Sequence, residues 1–167
     1  MPVISSKELV KSDKNSQCIR NQLRRWTVKG LLVKIRRGMY VLNKNDRKIT
    51  INQHFIANQL YEPSYVSLEY ALNFYGLIPE RVTSLTSVTT RKTARFRNDF
   101  GEFIYQHIKP EAFRGFKIIK GESGIQSFFA EPEKAVIDFL YLNLEKFDKD
   151  AQDLFKVSYR FQNMEGL

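Results

Sequence analysis

The stretch "SQCIRNQLRRWTVKGLLVKIRRGMYVLN", residues 16–43, changes from a helical to a strand-like periodicity at Gly30. Before this glycine, the apolar residues Ile19, Leu23 and Trp26 recur at i, i+4 and i+7, so they share one side of a helix that must face a core. Glycine suits the left-handed position that ends a helix. The pattern therefore predicts a helix that begins at the start of the stretch and ends at this glycine.

The segment "LLVKIRRGMYVL" that follows predicts two short strands joined by a tight turn at Arg36–Gly38. Gly38 supplies a positive φ if the turn requires one. Because strand side chains alternate between two faces, Lys34 and Arg36 are expected together, opposite the buried residues. The buried side is predicted to comprise Leu31, Val33, Ile35, Tyr40 and Leu42.

A second stripe on the predicted helix is polar. Gln17, Arg20, Asn21 and Arg24 fall at i, i+3, i+4 and i+7, and side chains of these types can bind base edges. Upstream, "SSKEL" predicts a short helix to about Ser12, and "SDKN" predicts a turn. Two helices, a turn and a basic hairpin indicate a winged helix-turn-helix. Its second helix would enter the major groove, and the hairpin tip would reach a phosphate backbone or the minor groove.

The charge distribution supports the same interpretation. Residues 1–49 carry 13 Lys and Arg against 3 Asp and Glu, residues 81–120 are also basic, and residues 50–80 and 121–167 are acidic. Essentially the whole excess of +9 therefore lies in the first of these segments. Such an asymmetry predicts an N-terminal nucleic-acid module and a second region with a different task.

The predicted DNA contacts divide into two groups. Gln17, Arg20 and Asn21 are assigned to base edges, because Arg can bind guanine, and Asn or Gln adenine, through hydrogen-bond pairs that discriminate by ~1–3 kcal/mol. Trp26 is assigned to the core rather than to stacking. The residues assigned mainly to phosphates are Ser16, Arg24, Arg25, Lys34, Arg36 and Arg37. A merely solvated basic surface is the alternative.

Beyond a polar, turn-rich linker at residues 43–50, the patterns alternate between helix and strand. "INQHFIANQLY" and "SLEYALNFYG" predict helices, the second with Ser67 as N-cap and Gly76 as terminator. Strand-like segments follow, with a turn at residues 98–101. Pro132 then suits the first position of a further helix, "EPEKAVIDFLYLNLEKF". A less apolar helix is predicted from residue 149.

These patterns predict an α+β protein. Residues 1–45 form an abbreviated winged helix-turn-helix DNA-binding domain in this interpretation. Residues 51–167 form an α+β regulatory domain with a mainly antiparallel sheet and flanking helices.

Several motifs then occur in a fixed order: "LLVKIRRGMYVL", "SYVSLEYALNFYGLIPE", "SLTSVTTRKTARFRNDFGEFIYQHIK" and "AEPEKAVIDFLYL". With the basic module before them, from Ser5 to about Leu142, they resemble the AbiEi-type antitoxins of abortive-infection toxin–antitoxin systems. The resemblance implies an N-terminal domain that binds operator DNA and represses the antitoxin's own operon. It also implies a C-terminal antitoxin domain that counters a nucleotidyltransferase-like toxin. Because repressors commonly use paired half-sites, dimerisation on DNA is expected.

The chain departs from a full winged helix in one respect. Such a domain packs three helices, but only one short helix fits before the predicted recognition helix. Either the second domain or another subunit takes the place of the missing helix, or the chain is a shortened relative. Because so small a module buries little core, the sequence does not establish that residues 1–49 fold alone.

The second basic block is "TTRKTARFRN". If it is extended, Arg91, Arg95 and Arg97 lie on one side, opposite Ala94 and Phe96. Such a stripe could contact DNA flanks, RNA or an acidic partner, or it could simply keep a hairpin soluble. The family resemblance favours a partner-facing or regulatory surface formed by Arg91, Lys92, Arg95 and Arg97.

The sequence gives little support for catalysis. Neither His54 nor His107 has a second ligand type at metal spacing. Glu131, Glu133 and Asp138 lie at the start and along one predicted helix, where capping and solvation account for them. We therefore expect no enzyme activity, no metal and no cofactor.

A cytoplasmic location is also expected. The first residues lack the layout of a secretion signal, and no apolar run approaches the ~20 residues that cross a bilayer. The single cysteine, Cys18, cannot form an internal disulfide and is predicted to be a small buried packing residue.

Three functions remain open at this point. The first is a sequence-specific repressor of the antitoxin type. The second is an interaction module that inhibits a toxin or another enzyme, with DNA binding secondary. The third is a nuclease or nucleotidyltransferase.

Overall fold

The computed structural model describes residues 3–12, 16–121, 124–143 and 161, and its fold is α+β. The N-terminal elements are β1 (Val3–Ser5), α1 (Ser6–Ser12), α2 (Ser16–Val28), β2 (Leu32–Arg36) and β3 (Met39–Leu42). A connector, residues 43–52, leads to the others. They are α3 (Gln53–Leu60), β4 (Ser64–Val66), α4 (Leu68–Phe74), β5 (Leu85–Thr89), β6 (Ala94–Asn98), β7 (Gly101–His107), a 3-10 turn (Pro110–Ala112), β8 (Phe116–Lys120), β9 (Gln126–Ala130) and α5 (Pro132–Asn143).

The structure confirms the predicted helices that lie within the described residues. α2 ends as expected: Gly30 has a φ of +72°, and the N–H groups of Gly30 and Leu31 donate to the carbonyls of Thr27 and Trp26, both at 3.0 Å. The three-residue strands β1 and β4 were not predicted, because so short a strand shows no period. Most of the predicted "SDKN" turn and the helix from residue 149 lie outside the described residues.

The first sheet is antiparallel, with the order β1-β3-β2, and both of its faces are covered. Val3 and Val33 both pair with Val41, so these three side chains share one face. Val3 and Val41 are buried in the same apolar cluster as Ile56 of α3 and Phe103 of β7. α2 packs against β2 at the other face. The elements from α3 to α5, which correspond to the predicted second domain, therefore cover the sheet face opposite α2.

The predicted alternation in β2 and β3 is wrong near the hairpin tip. Lys34 pairs with Tyr40 and Arg36 pairs with Met39, so Ile35 is an extra residue in a β-bulge. Residues that pair directly across a ladder share a face. The bulge therefore turns Arg36 to the face of Met39, toward the second domain, and leaves Lys34 on the opposite face.

The burial predicted for the apolar residues of the N-terminal elements, β1 to β3, is also partly wrong. Leu31 and Leu42, predicted to be buried, are 42% and 41% exposed, whereas Leu32 and Val41 are buried. Trp26 was predicted to lie in the core and is 39% exposed. Leu32 pairs with Leu42 and Val33 pairs with Val41, so the buried residues Leu32 and Val41 lie on opposite faces of the sheet. The prediction of a single buried side is therefore wrong, because both faces of this sheet are covered.

The second sheet has six strands in the order β6-β7-β5-β4-β9-β8. Its pairs are antiparallel except β5–β7 and β4–β9, so it is mixed. The Tyr105 hydroxyl donates to the carbonyl of Ala57 in α3, at 2.6 Å. Tyr65 lies on the opposite face, toward α5. It pairs with Val88 of β5, whereas Tyr105 pairs with Ser87. Because Ser87 and Val88 are adjacent in the strand, they point to opposite faces of the sheet, and so do their partners. Helices on both faces explain why β4 and β5 are buried along their whole length.

A buried carboxylate joins this sheet to α5. Asp138 is 1% exposed, and its Oδ2 accepts hydrogen bonds from the Tyr65 hydroxyl at 2.9 Å and from the Ser67 hydroxyl at 2.8 Å. Its Oδ1 lies 2.7 Å from the ammonium of Lys134, which also donates to the carbonyl of Ala112. Burial and the charge of Asp138 raise the pKa of Tyr65, so the phenol remains a donor.

Two predictions about this region are corrected. Glu131 and Glu133 are exposed as expected, but Asp138 is buried and paired rather than solvated. Ser67 occupies the N-cap position of α4 as predicted, yet its side chain makes no capping hydrogen bond. Its hydroxyl serves the Asp138 carboxylate instead.

Replacement of Asp138 tests this network. Asp138→Ala should lower the free energy of unfolding by about 3 kcal/mol, because it leaves the largely buried Lys134 ammonium without its counter-charge. Urea denaturation measures the loss. The matched control is Glu133→Ala in the same helix, which should change stability by about 0.5 kcal/mol or less. Similar small effects from both variants would contradict a structural role for the carboxylate.

Candidate nucleic-acid interface

The polar stripe of α2 lies on the surface. Gln17, Arg20, Asn21 and Arg24 are all exposed, and Leu23 on the other side of the helix is 2% exposed. The helix is therefore held by one side while the guanidinium and amide groups of the other side face solvent. The structure brings these four predicted residues together on one accessible face.

The two amides on this face are paired. Gln17 Nε2 donates to Asn21 Oδ1 at 3.2 Å, an i,i+4 contact on the helix surface. The pair still leaves Gln17 with its carbonyl oxygen and a second amide hydrogen, and Asn21 with its amide group. Each side chain therefore keeps donors or acceptors that can bind a base edge.

The carboxyl-terminal half of the same face forms a shallow depression of about 350 Å³. Asn21, Arg24 and Arg25 line it, together with Val28 and Lys29. Val28 is 81% exposed. Lys29 is not among the predicted DNA contacts, although its charge and its position four residues after Arg25 indicate that the two side chains are neighbours on the helix.

The start of α2 carries two further side chains of interest. Ser16 is the first residue of the helix and is partly exposed, next to the predicted base-contacting residues. Cys18 is exposed, so the prediction that it packs in a core is wrong. The helix turns Cys18 away from Leu23, since the two positions lie about 140° apart around an α-helix.

The hairpin divides its basic residues between two environments. Lys34 and Arg37 are exposed. The Arg36 guanidinium donates to the carbonyl of Leu60 and lies 5.4 Å above the ring of Phe96. The β-bulge turns Arg36 in this direction, so its geometry favours a contact between the two domains over the predicted phosphate contact. Arg36 is accordingly left out of the candidate interface.

Asn98 reinforces the same junction. Its Nδ2 donates to the carbonyl of Ile35 at 3.0 Å, which fixes the bulged residue against the turn between β6 and β7. The hairpin tip thus has one side attached to the second domain and the other side, with Lys34, in solvent.

The four residues of the second basic surface do not form one stripe. Arg95 and Arg97 share a face of β6, opposite Ala94 and Phe96, as predicted. The predicted alignment of Arg91 with them is wrong, because it precedes the strand and lies 4.4 Å above the ring of Tyr61. Lys92 is exposed, and its carbonyl accepts a hydrogen bond from the Tyr61 hydroxyl.

Arg95 is engaged by an acidic neighbour. Its Nε lies 3.0 Å from Glu102, which also accepts a hydrogen bond from the Ser84 hydroxyl at 2.6 Å. The Ser84 hydrogen bond and the nearby Arg95 lower the pKa of Glu102, so the carboxylate stays charged. This pairing reduces the positive potential that Arg95 contributes to the surface.

The histidines lie in different surroundings. His54 is partly buried with its Nε2 3.1 Å from the Tyr70 hydroxyl, and burial lowers its pKa. His107 is exposed, with its Nδ1 3.0 Å from the carbonyl of Arg91. Within residues 3–12, 16–121, 124–143 and 161, no group of three or more His, Cys, Asp or Glu residues could hold a metal ion.

Comparison with models of known protein families gives no match, and comparison with curated protein sequences gives none either. In the part of the chain that the structure describes, no helix is both long and apolar enough to cross a membrane.

The neighbouring residues Arg36 and Arg37 allow a matched test of the hairpin geometry. Arg36→Ala should lower the free energy of unfolding by about 1–2 kcal/mol, because it removes a charged hydrogen bond and the contact with Phe96. Arg37→Ala should change it by about 0.5 kcal/mol or less, since this side chain is in solvent. Chemical denaturation of both variants measures the difference. Equal losses would show that Arg36 does not anchor the hairpin.

Proposed function

We propose that the protein is a sequence-specific DNA-binding repressor of the AbiEi antitoxin type, in which α2 is the recognition helix. One observation carries the proposal: the basic and amide side chains of α2 share an exposed face, and the opposite side of the helix is fixed to its own sheet. A helix held in this way presents its side chains as a rigid set to the major groove.

The order of the N-terminal elements supports the proposal. Three residues separate α1 from α2, the two helices pack together, and a hairpin follows. A short connection of this length is typical of helix-turn-helix units. The second domain covers the sheet face opposite α2, so it can take the place of the helix that an abbreviated winged helix lacks.

The side chains have different roles in this proposal. Gln17, Arg20 and Asn21 lie in the first two turns of α2, which is the part of a recognition helix that contacts base edges. The backbone N–H groups at the start of the helix, next to Ser16, favour a phosphate. The remaining proposed phosphate contacts are Arg24, Arg25, Lys29, Lys34 and Arg37.

The biological role follows from the resemblance of the motif series. The protein would repress its own operon and counter a nucleotidyltransferase-like toxin, and two copies would bind paired half-sites on double-stranded DNA. The proposal assigns it no catalytic step and no cofactor.

Two substitutions separate base recognition from phosphate binding. Arg20→Ala should lose about 1–3 kcal/mol on the protein's own upstream DNA and much less on a scrambled duplex, because it removes a base contact. Lys34→Ala should weaken binding to both duplexes alike and reduce the salt slope by about one unit. Fluorescence anisotropy titrations at several salt concentrations measure both effects.

Lys109→Ala is the control for the loss of a positive charge, because Lys109 is exposed in the second domain. It should leave affinity nearly unchanged. A wild-type protein that binds scrambled DNA as tightly as its upstream DNA would refute specific repression. A uniform loss on both duplexes for Arg20→Ala would contradict the assigned base contact.

A second candidate function is an interaction module that inhibits a toxin directly. One observation favours it: Ile118 and Phe128 pair across the β8–β9 hairpin and are 53% and 44% exposed. Two large apolar side chains side by side at the edge of the sheet are suited to a protein partner.

A growth-rescue assay with the nucleotidyltransferase-like toxin tests this alternative. If the interaction dominates, Ile118→Ser should abolish protection without changing DNA affinity, and Lys117→Ser, on the other face of the same strand, should retain protection. Point variants are preferable to deletion of the module, because Val3 and Val41 belong to the shared core. Loss of protection with Arg20→Ala alone would instead favour repression as the main activity.

A further inference from the structure

The strand β8 forms one edge of the six-stranded sheet, since it stands last in the strand order, next to β9. The opposite edge, β6, has the N-terminal hairpin beside it: Asn98 donates to the carbonyl of Ile35, and the Arg36 guanidinium lies above the Phe96 ring. In the part of the chain that the structure describes, no backbone hydrogen bond joins β8 to any element other than β9. An unpaired edge of this kind can accept another strand.

The hydrogen bonds at the two ends of the β8–β9 hairpin show which backbone groups point outward. The Glu131 N–H donates to the carbonyl of Gly115 at 3.0 Å, and the Gly121 N–H donates to that of Ile125 at 2.9 Å. In an antiparallel ladder, residues that bond to the partner strand alternate with residues whose N–H and C=O groups point away from it. Positions 115, 117, 119 and 121 therefore bond to β9 or its extension.

The outward groups belong to Phe116, Ile118 and Lys120, which alternate with those positions. The β9 residue opposite Ile118 shows the same alternation. It is Phe128, whose N–H donates to Oδ1 of Asn58 at 2.7 Å and whose carbonyl accepts from Nδ2 of the same amide at 3.3 Å. Both backbone groups of Phe128 are thus used on the side away from β8. The edge therefore presents the N–H and C=O groups of all three β8 residues to an incoming strand.

The side chains at this edge continue an apolar face of the core. Phe116 stacks on the buried ring of Tyr65, with 4.8 Å between the ring centres, and it contacts the Phe128 ring edge-on at 5.8 Å. Ile118 lies on the same face, because it pairs directly with Phe128, and both of these side chains are exposed. A strand added beside β8 would bury part of their apolar surface.

The charges at the edge indicate the chemistry of the partner. Lys120 lies on the face of Ile118, and Lys117 lies on the other face; both are exposed. Neither lysine forms an ion pair with a described residue. The Lys117 ammonium lies 5.7 Å from the centre of the Tyr75 ring, so Lys120 is the more available charge. An acidic side chain directly opposite a lysine on an adjacent strand stabilises the pairing.

A second copy of the chain fits this edge less well. If two β8 strands paired antiparallel about Ile118, the two Lys117 side chains would be diagonal neighbours on one face, and the lysines of both copies would meet along the same edge. Like charges in these positions oppose pairing, and lysines on edge strands commonly prevent it. A partner with acidic side chains removes this repulsion.

We propose that β8 binds an extended segment of a partner protein as a seventh strand of the sheet, with an apolar residue opposite Ile118 and acidic residues opposite Lys117 and Lys120. The backbone of the segment would bond to the outward N–H and C=O groups, and its side chains would supply the selectivity. The proposal deepens the second candidate function and rests on it, because it names the kind of segment that Ile118 and Phe128 contact. A peptide tests it without toxin or DNA, so its failure is distinguishable from a failure of growth rescue.

Hydrogen exchange on the full chain, followed by NMR, tests the pairing. The probe is the peptide Gly-Ser-Glu-Thr-Val-Glu-Val-Ser-Gly. When it adds antiparallel, the slightly more stable direction, its glutamates lie opposite Lys120 and Lys117 and its first valine lies opposite Ile118. In the free protein, the amides of residues 116, 118 and 120 should exchange quickly and those of 117 and 119 slowly. Saturating peptide should slow exchange at the first three by about tenfold or more, because their hydrogen bonds are then made.

Modified peptides separate backbone pairing from side-chain contact. Methylation of the first valine amide removes a donor that faces β8, and it should weaken binding about tenfold or more. Methylation of the adjacent threonine amide removes a donor that faces away from β8, so affinity should stay within about twofold. A peptide with lysine in place of both glutamates should bind about fivefold more weakly or worse, because it repels Lys117 and Lys120.

Variants of the chain locate the site. Lys120→Glu should weaken the acidic peptide about fivefold and strengthen binding of the lysine peptide. The matched control is Lys92→Glu, in the exposed loop before the opposite edge strand, which should change neither. Ile118→Pro removes an outward N–H without breaking a bond to β9. It should lose more affinity than Ile118→Ala, which keeps the N–H.

Three results would overturn the proposal. One is unchanged exchange at residues 116, 118 and 120 with millimolar peptide. Another is equal affinity for the acidic and the lysine peptides, which would exclude selection by charge. The third is protection of these three amides in the protein alone. Dependence of that protection on protein concentration would show pairing between two copies, and independence would show that another part of the chain occupies the edge.

Discussion

The three-stranded sheet near the amino terminus needs cover on both faces, and this requirement joins the two parts of the protein. A module of roughly forty residues can bury little apolar surface by itself. α2 packs on one face, and on the other Val3 and Val41 enter the core that contains Ile56 and Phe103. The position of α2 therefore depends on the second domain, although α2 and that domain pack against opposite faces of the sheet.

This arrangement also places the basic residues in two different environments. Arg36 is turned inward by the β-bulge, where a carbonyl and an aromatic ring hold its guanidinium. Arg20 and Arg24 remain in solvent on the free side of α2, where their charges are available to neutralise phosphates and release counterions. Arginines close together in the sequence thus serve folding in one case and, in our proposal, recognition in the other.

The interior of the second domain shows two outcomes for buried polar groups. Asp138 has a full set of partners in Tyr65, Ser67 and Lys134, so it stabilises the contact between α5 and the sheet. Ser127 is also buried, but its hydroxyl has no hydrogen-bond partner within the described part of the chain, and the residue lines a cavity. The carboxylate is thus satisfied by the fold itself, whereas the hydroxyl keeps its hydrogen-bonding capacity at the cavity.

The sequence alone determined the helices and hairpins whose periods are long enough to read, the exposed face of α2 with Gln17 and Arg20, and the glycine that ends this helix. The three-residue strands and the bulge at Ile35 could not be read, because neither leaves a periodic signal. Only the tertiary structure decided that Arg36 faces inward and Asp138 is buried. Those outcomes depend on contacts with residues distant in the chain, which local alternation cannot report.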